Sequence, residues 1–246
     1  MIDLRLKYLD WDSQQLGIGC GLIDATEFEN LPEPDALADW MKDITEGKKD
    51  IEFITIKLPC HWTGTVNALV QNRALLIDAE VTFVYAKGTK QDSNDIPDNC
   101  RLEFCKEADS KAFFPLAEEM RFSRFFLDSK ISNDKAIHLW ERSIKNHCEG
   151  FADQLLVAYF DDEPCGIVTL KFKDSEQLFL HIVGVLKRYQ GKKIAKLMLN
   201  KITQRYGEDY SIYVETQSIN NAAQKAYQKS GFRYHTLKYV LHFWRS

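Results

Sequence analysis

The sequence predicts an α/β protein, and three observations carry that prediction. Residues Phe179 to Leu199 pass from an apolar strand through a basic turn into a helix. Residues Ser211 to Trp244 then run strand, helix, strand. The chain of 246 residues, 45% hydrophobic and 28% charged, has material for one large or two modest globular domains.

The first elements are short. Leu4–Leu9 is strand-like, a Trp11-Asp12-Ser13 segment follows, and Gly17-Ile18-Gly19-Cys20-Gly21-Leu22-Ile23 alternates glycine with apolar residues. Glycine at alternate strand positions leaves one face bare, so another group is expected close to its backbone. Pro34–Ile44 reads as a helix, with proline near its first turn and Gly47 beyond its end. Ile51–Leu58 is a strand rich in β-branched residues and stopped by Pro59, Thr65–Arg73 a helix, and Val81–Tyr85 a strand. From Lys87 to Cys100 the composition turns to Gly, Lys, Asp, Ser, Asn and Pro, which marks 87–100 as a linker between domains at 1–86 and 101–246.

In the second domain, Arg101–Cys105 is a strand and Lys111–Met120 a helix. Arg121-Phe122-Ser123-Arg124-Phe125-Phe126-Leu127-Asp128 mixes aromatic with charged residues in a way that suits neither a core nor a plain surface. Ile137–His147 is a helix with Leu139, Trp140 and Ile144 on one side. Leu155–Tyr159 and Gly166–Phe172 form a hairpin turned by Asp161-Asp162-Glu163-Pro164. Leu180, Ile182, Val183 and Val185 make the next strand. Ile194, Met198 and Ile202, with Leu199 beside them, give the following helix its apolar face. Strand Ser211–Thr216, helix Asn221–Ser230 and strand Tyr239–Trp244 complete the chain. Their order repeats that of Ile51–Leu58, Thr65–Arg73 and Val81–Tyr85, a faint internal similarity consistent with a truncated, catalytically silent copy at the N-terminus.

The turn before Ile194 carries Arg188, Lys192 and Lys193 around Gln190 and Gly191. A helix N-terminus has unpaired N–H groups and the positive pole of the dipole, so cations there oppose the helix and an anionic ligand is expected. A diphosphate suits such a turn; an ordinary solvated basic loop is the alternative. A net charge of −4 gives no support to nucleic-acid binding. No apolar run approaches the ~20 residues of a membrane span, and the first residues lack the apolar stretch of a signal peptide. The six cysteines are scattered without C-x-x-C spacing and read as free thiols in a cytoplasmic protein with no metal site.

Three features in order resemble one family. A strand ending Val183-Gly184-Val185 leads into Tyr-Gln-Gly-Lys-Lys-Ile-Ala at 189–195, and a strand Ile-Tyr-Val-Glu-Thr-Gln follows at 212–217. Then comes Asn-x-x-Ala-x-x-x-Tyr-x-x-x-Gly-Phe, met by Asn220, Ala223, Tyr227, Gly231 and Phe232. Over 101–246 this resembles the GNAT superfamily of acetyl-CoA-dependent N-acetyltransferases. The resemblance implies a mixed central sheet flanked by helices, acetyl-CoA as co-substrate with no metal, and a small-molecule amine as acceptor. It assigns Val183, Gly184 and Val185 to the pantetheine arm and thioester, with Gln190, Gly191, Lys192, Lys193, Ile194, Ala195, Asn220 and Tyr227 completing the cofactor site. Lys193 stands where the superfamily's diphosphate turn has glycine. A helix-start position needs no positive φ, so a lysine is expected to fit with its side chain outward. Leu9–Ser13, Ser123-Arg124-Phe125 with Asp128, and His242-Phe243-Trp244 also resemble the dTDP-fucosamine acetyltransferase group. That group acts on a dTDP-linked 4-amino-4,6-dideoxyhexose and carries a partial GNAT-like N-terminal domain.

Acetyl transfer needs an oxyanion site, an acid for the leaving thiolate and a base for the amine. Gly184 inside an apolar strand suggests a bulge that frees backbone groups. Tyr227, protonated at neutral pH, is the candidate acid, against the alternative of a core aromatic. His181 and Glu215 are candidate bases, ordinary packing being the alternative for the histidine. Arg121, Phe122, Arg124, Phe125 and Asp128 supply the cations and aromatics a sugar nucleotide needs, or else form an amphipathic helix end with snorkelling arginines.

Overall fold

The computed structural model describes residues 6–26, 50–89 and 97–245. The helix expected at Pro34–Ile44 and positions 90–96 of the linker lie outside the described residues. In chain order the elements are β1 Lys7–Tyr8, α1 Asp10–Leu16, β2 Cys20–Asp24, β3 Phe53–Pro59, α2 Thr63–Gln71 and β4 Leu75–Tyr85. Then follow β5 Cys100–Cys105, α3 Leu116–Glu119, α4 Arg124–Leu127, α5 Asn133–Asn146, β6 Gln154–Phe160 and β7 Glu163–Phe172. The last are β8 Gln177–Val185, α6 Ile194–Tyr206, β9 Ser211–Gln217, α7 Asn221–Lys229 and β10 Arg233–Trp244. Both repeated segments adopt the expected strand–helix–strand order.

The chain packs as two units, one of Met1–Glu80, Ser123–Lys135 and Leu237–Ser246, the other of Val81–Phe122 and Ala136–Thr236. These are not the contiguous ranges expected from composition, because Ser123–Lys135 and the end of β10 pack with the first unit.

In the first unit β1 pairs antiparallel with β2, β2 parallel with β3, and β3 antiparallel with β10. Of the described part of the expected first strand, residues 6–9, Lys7–Tyr8 are extended, and the Trp11 segment is helical, ended by Gly17 in the left-handed region. The close approach expected of the glycine run occurs at Gly19, where a Cβ would lie 1.7 Å from the Asp50 carbonyl oxygen. Ile54, Ile56 and Leu58 of β3 bury against Val66 and Leu69 of α2, Trp62, and Leu241 and Phe243 of β10. Each such side chain contributes about 1.5–3 kcal/mol on leaving water.

In the second unit the strand order is β4-β9-β8-β7-β6-β5, antiparallel from β5 to β8 and parallel between β8 and β9. The β6–β7 hairpin turns through Asp161 and Asp162, both at positive φ (50° and 63°), as a two-residue turn requires. The helix expected at Lys111–Met120 is broken: a 3₁₀ turn covers Ser110–Phe113 and α3 starts only after Pro115. Proline has no N–H to continue the ladder, so the chain restarts there. α5 begins at Asn133, earlier than expected, and buries Ala136, Leu139 and Ile144. α6 buries Ile194, Met198, Leu199 and Ile202, the apolar face read from the sequence.

Candidate active site

The site lies wholly in the second unit and begins where two strands part. β8 and β9 pair from Gln177 opposite Ser211 to Leu180 opposite Val214 and no further, although β8 runs to Val185 and β9 to Gln217. The β9-facing edge of residues 181–185 therefore keeps main-chain groups that no β9 residue takes up. On the other side, Val168 pairs with Val183 and Leu170 with Leu180, so His181 and Ile182 together oppose Thr169. Thr169 Oγ1 accepts the displaced Ile182 N–H at 3.0 Å. The bulge thus sits at His181–Ile182, not at Gly184, which pairs in register with Ile167. Gly184 is needed for space instead: a Cβ there would lie 2.7 Å from Leu116 Cδ1.

The turn from β8 into α6 is held from outside. The Tyr189 hydroxyl donates to Glu163 Oε2 at 2.8 Å, and Arg188 Nη2 meets the same oxygen at 2.8 Å. Phe160 packs on Tyr189, and the Lys192 ammonium lies 4.7 Å from the Phe160 ring centre. Gln190 Nε2 donates to the Val185 carbonyl at 3.2 Å. Arg188 and Lys192, both read as anion-facing cations, are thus occupied in holding the turn. Gly191 has φ 82°, and Lys193, at the helix start, has φ 64°. The expectation that Lys193 needs no positive φ is corrected: it is the N-cap, in the left-handed region, and caps nothing with its side chain. A Cβ in that region costs on the order of 1–2 kcal/mol.

These elements border an open cavity of about 710 Å³. Val183, Gly184 and Val185 line one part of it, and Gln190, Gly191 and Lys193 through Lys196 another. Asn220, Ala223 and Tyr227 of the α7 region line the rest, with Leu116, Met120 and Phe122. Asn220 caps α7, its Oδ1 accepting the Ala223 N–H at 3.2 Å. Tyr227 is 5% exposed between Phe83 and Phe232 and has no hydrogen-bond partner for its hydroxyl among the described residues. Burial drives the Tyr227 pKa well above that of a free phenol, so the group keeps its proton at any physiological pH. The cavity therefore joins main-chain donors, a helix N-terminus and a protonated acid.

Of the residues expected in the cofactor site, only Lys192 does not line this cavity. His181 is not among the lining residues either; its ring lies 5.6 Å from that of His147 and 6.1 Å from Phe151. Burial first, and then Lys171, lowers its pKa. His147 is more extreme: burial pulls it down to about 4. Its Nδ1 sits 2.9 Å from the Ser143 carbonyl, and its buried Nε2 has no partner. Glu215 also lies off the cavity lining and accepts from Thr82 Oγ1 at 3.2 Å.

The residues expected to read the substrate are dispersed. Phe122 lines the cavity, whereas Arg121 Nε donates to the Glu118 carbonyl at 3.0 Å. Arg124, Phe125 and Asp128 belong to the first unit. There Arg124 meets Asp12 at 3.4 Å and covers the buried Phe125 ring at 4.3 Å. Asp128 is fully buried, taking hydrogen bonds from His242 Nδ1 at 2.7 Å, Trp244 Nε1 at 2.9 Å and the Lys130 N–H at 2.9 Å. Burial alone would raise its pKa, but those donors outweigh it and the net shift is downward.

Comparison with known proteins decides what this geometry belongs to. Residues 141–232 match the Acetyltransferase (GNAT) family. Residues 141–232 thus carry a GNAT acetyltransferase domain. It is an enzyme domain of the acetyl-CoA-dependent N-acetyltransferase type. The chain is 24% identical over 198 residues to the spore coat polysaccharide biosynthesis protein SpsD of Bacillus subtilis (strain 168), covering 79% of this chain and 68% of SpsD. It is similar in fold to a functionally unknown conserved protein from Staphylococcus epidermidis ATCC 12228 (TM-score 0.63, 16% identity, 100% of this chain and 93% of that one). It is also similar to a tandem GNAT protein from the clavulanic acid biosynthesis pathway (TM-score 0.59, 10% identity, 93% and 76% of the two chains).

Most of the cavity lining falls inside the GNAT match; Leu116, Glu119, Met120 and Phe122 precede it. Sequence reasoning missed the parting of β8 from β9, the Glu163 anchor, and three further lining lysines, Lys196, Lys225 and Lys229. Only the lysines left a sequence signal: Lys196 is one helical turn from Lys193, and Lys225 and Lys229 share a face of α7.

Proposed function

We propose that this chain moves an acetyl group from acetyl-CoA to the amino group of a nucleotide-linked (dTDP) 4-amino-4,6-dideoxy sugar. The observation that carries the proposal is the opened edge of β8 facing the same cavity as the 190–195 turn and the partnerless Tyr227 hydroxyl. In this reading the turn's N–H groups take the diphosphate of coenzyme A. The thioester then lies along Val183–Val185, whose freed main chain stabilises the oxyanion. The amine lone pair attacks the thioester carbon; the C–S bond breaks as Tyr227 donates its proton to sulfur. The amine's proton leaves to His181, to Glu215, or to water. Neither side chain lines the cofactor cavity, so the acceptor amine would meet its base from outside that lining.

The sugar-nucleotide part rests on sequence. Leu9–Ser13, Ser123–Asp128 and His242–Trp244 support it, and so does similarity to a relative named for polysaccharide biosynthesis. By sequence order residues 1–86 form a partial GNAT-like domain, 87–100 the joining segment and 101–246 the catalytic domain, with Ser123–Lys135 and the end of β10 contributed from the last range to the packing of the first unit. Similarity to a tandem GNAT protein over 93% of this chain supports that division. The enzyme works in the cytoplasm on a soluble acceptor, without a nucleic-acid or membrane partner.

A thiol-release assay with acetyl-CoA and a panel of amines tests the proposal. Release with dTDP-4-amino sugars and not with simple amines or peptide N-termini is the expected result. Release only with the latter would move the activity to another small amine or a protein N-terminus. Binding of acetyl-CoA without release to any amine would make the chain a non-catalytic binder.

A further inference from the structure

The bulge in β8 sets one ionisable side chain beside the parting of the strands. Leu180–Val214 is the last β8–β9 pair, so His181 is the first residue of β8 beyond it. His181 shares the bulge with Ile182 opposite Thr169, and a bulge re-aims the side chain it carries. It precedes Val183, the first β8 residue on the cavity lining, by two positions, about 7 Å along a strand. His181 is exposed, and neither of its ring nitrogens has a hydrogen-bond partner among the described residues. Its ring neighbours are His147 at 5.6 Å and Phe151 at 6.1 Å.

His147, just past the end of α5, is 8% exposed. Its Nδ1 lies 2.9 Å from the Ser143 carbonyl, which only accepts, so Nδ1 carries the proton and Nε2 the lone pair. Burial keeps this ring uncharged, with its pKa down at about 4. The lone pair is sealed from water and meets no donor among the described residues, which is costly for a buried acceptor. A hydrogen bond of about 2.9 Å between two imidazoles puts their centres roughly 5.2 Å apart. The observed 5.6 Å to His181 leaves a small movement to close, and contacts of catalytic groups commonly tighten when substrate binds.

We infer that His181 is the base that takes the acceptor's proton, and that His147 positions it by accepting the His181 N–H at Nε2. The inference rests on the acetyl-transfer reading and narrows its three proton acceptors to one. With one ring nitrogen of His181 donating to His147, the other must present a lone pair, and the amine meets that pair. As the amine nitrogen bonds to the thioester carbon, its N–H bond breaks. The proton passes to His181, and the electrons of that bond stay on nitrogen. Tyr227 gives its proton to sulfur and regains one from water; His181, being exposed, releases its own to water.

The charged groups around the pair suit this role. Lys171 of β7 is tied to the Phe151 carbonyl and to Asp153, each at 2.9 Å. Burial first, then Lys171, lowers the His181 pKa against the opposing pull of Asp153, so the ring is uncharged at neutral pH. Glu215 of β9, the rival base, is engaged by Thr82 Oγ1 at 3.2 Å.

The test is the pH profile of thiol release from acetyl-CoA by the full chain. The acceptor is a dTDP-4-amino-4,6-dideoxyhexose or, where that sugar is inert, the simple amine that releases most thiol. His181→Gln should lower kcat by about 10²-fold and abolish the acid limb, with KM for acetyl-CoA unchanged. His147→Phe should lower kcat by about tenfold and move the acid limb to lower pH, because the lost hydrogen bond favours the imidazolium form of His181. His147→Gln, whose amide oxygen can accept in place of Nε2, should stay within about threefold and keep the acid limb in place. Full turnover in His181→Gln would overturn the base. An unmoved acid limb in His147→Phe, or equal losses in both His147 variants when thermal melts show them folded, would overturn the positioning. Long-range proton–nitrogen NMR of the unaltered chain needs no variant of His147: the Nδ1–H tautomer is expected there, and an Nε2–H tautomer would also overturn it. In each of these outcomes the acetyl-transfer reading stands; absence of thiol release with every amine would remove both.

Discussion

Two stretches of this chain mix cations with aromatic residues, Arg188–Lys196 and Arg121–Asp128, and they use them differently. In the first, Arg188 and Lys192 are held by Glu163 and Phe160, while Tyr189, Gln190, Gly191 and Lys193–Lys196 line a cavity. In the second, Arg124 is taken by Asp12 and Phe125, and Asp128 by His242, Trp244 and Lys130. Phe122 apart, which also lines the cavity, the same residue types face a cavity in one place and are consumed inside the fold in the other. The difference lies in partners more than a hundred residues away for Arg124 and Asp128. Local composition announces polar chemistry; it does not say whether the chemistry is available.

That contrast can be broken experimentally. The largest effect belongs to the available side. Tyr227→Phe should lower kcat by about 10²-fold or more, the usual contribution of a positioned acid, with little change in KM for acetyl-CoA. Unchanged turnover would return Tyr227 to the core-aromatic reading.

On the consumed side, Asp128→Ala should cost about 3 kcal/mol of stability in a denaturant titration. It strands the buried His242 donor and the half-buried Trp244 donor without their acceptor. Affinity for acetyl-CoA should be unaltered. Lost affinity in a variant of normal stability would show that this carboxylate is available after all.

Acid should act through the buried histidines. The folded His147 titrates at about 4, below the ordinary value of 6.5, so between these the unfolded chain holds more protons. Its contribution is therefore complete above about pH 6.5 and is lost as pH falls, by about 3 kcal/mol at pH 4. His242, lowered first by burial, has the same sign. A stability–pH curve for His147→Gln should be flatter over this window than that of the unaltered chain; identical curves would exclude the assignment.

The smallest effect sharpens the cost of making a charge available. Lys193→Gly should raise stability by about 1 kcal/mol by removing a Cβ from the left-handed region. A thermal melt that moves down instead would mean that the lysine side chain supports the turn.

Much of the second unit was legible because its signals are local. The hairpin at Asp161-Asp162, the buried stripe of α6 and the Asn220–Phe232 motif depend on residues within a few positions of one another. Pro115 was equally local evidence, and reading through it produced the false continuous helix at Lys111–Met120. Gly184 was rightly singled out but for the wrong reason, since the residue it makes room for, Leu116, lies far away in sequence. Lys193 was misjudged because the φ of a helix's first residue depends on how the preceding turn is anchored.

The sequence alone determined the alternation of strand and helix, the apolar faces, the helix N-terminus after residue 193 and the family to which that motif order belongs. Tertiary structure decided where β8 leaves β9, which cations face the cavity, and that Asp128 is sealed beneath three donors. Periodicity and capping act over a turn or two of chain, so they can be read from neighbours. Strand separation and charge neutralisation are settled by whichever distant groups the fold brings within hydrogen-bonding reach, and no window of sequence contains both partners.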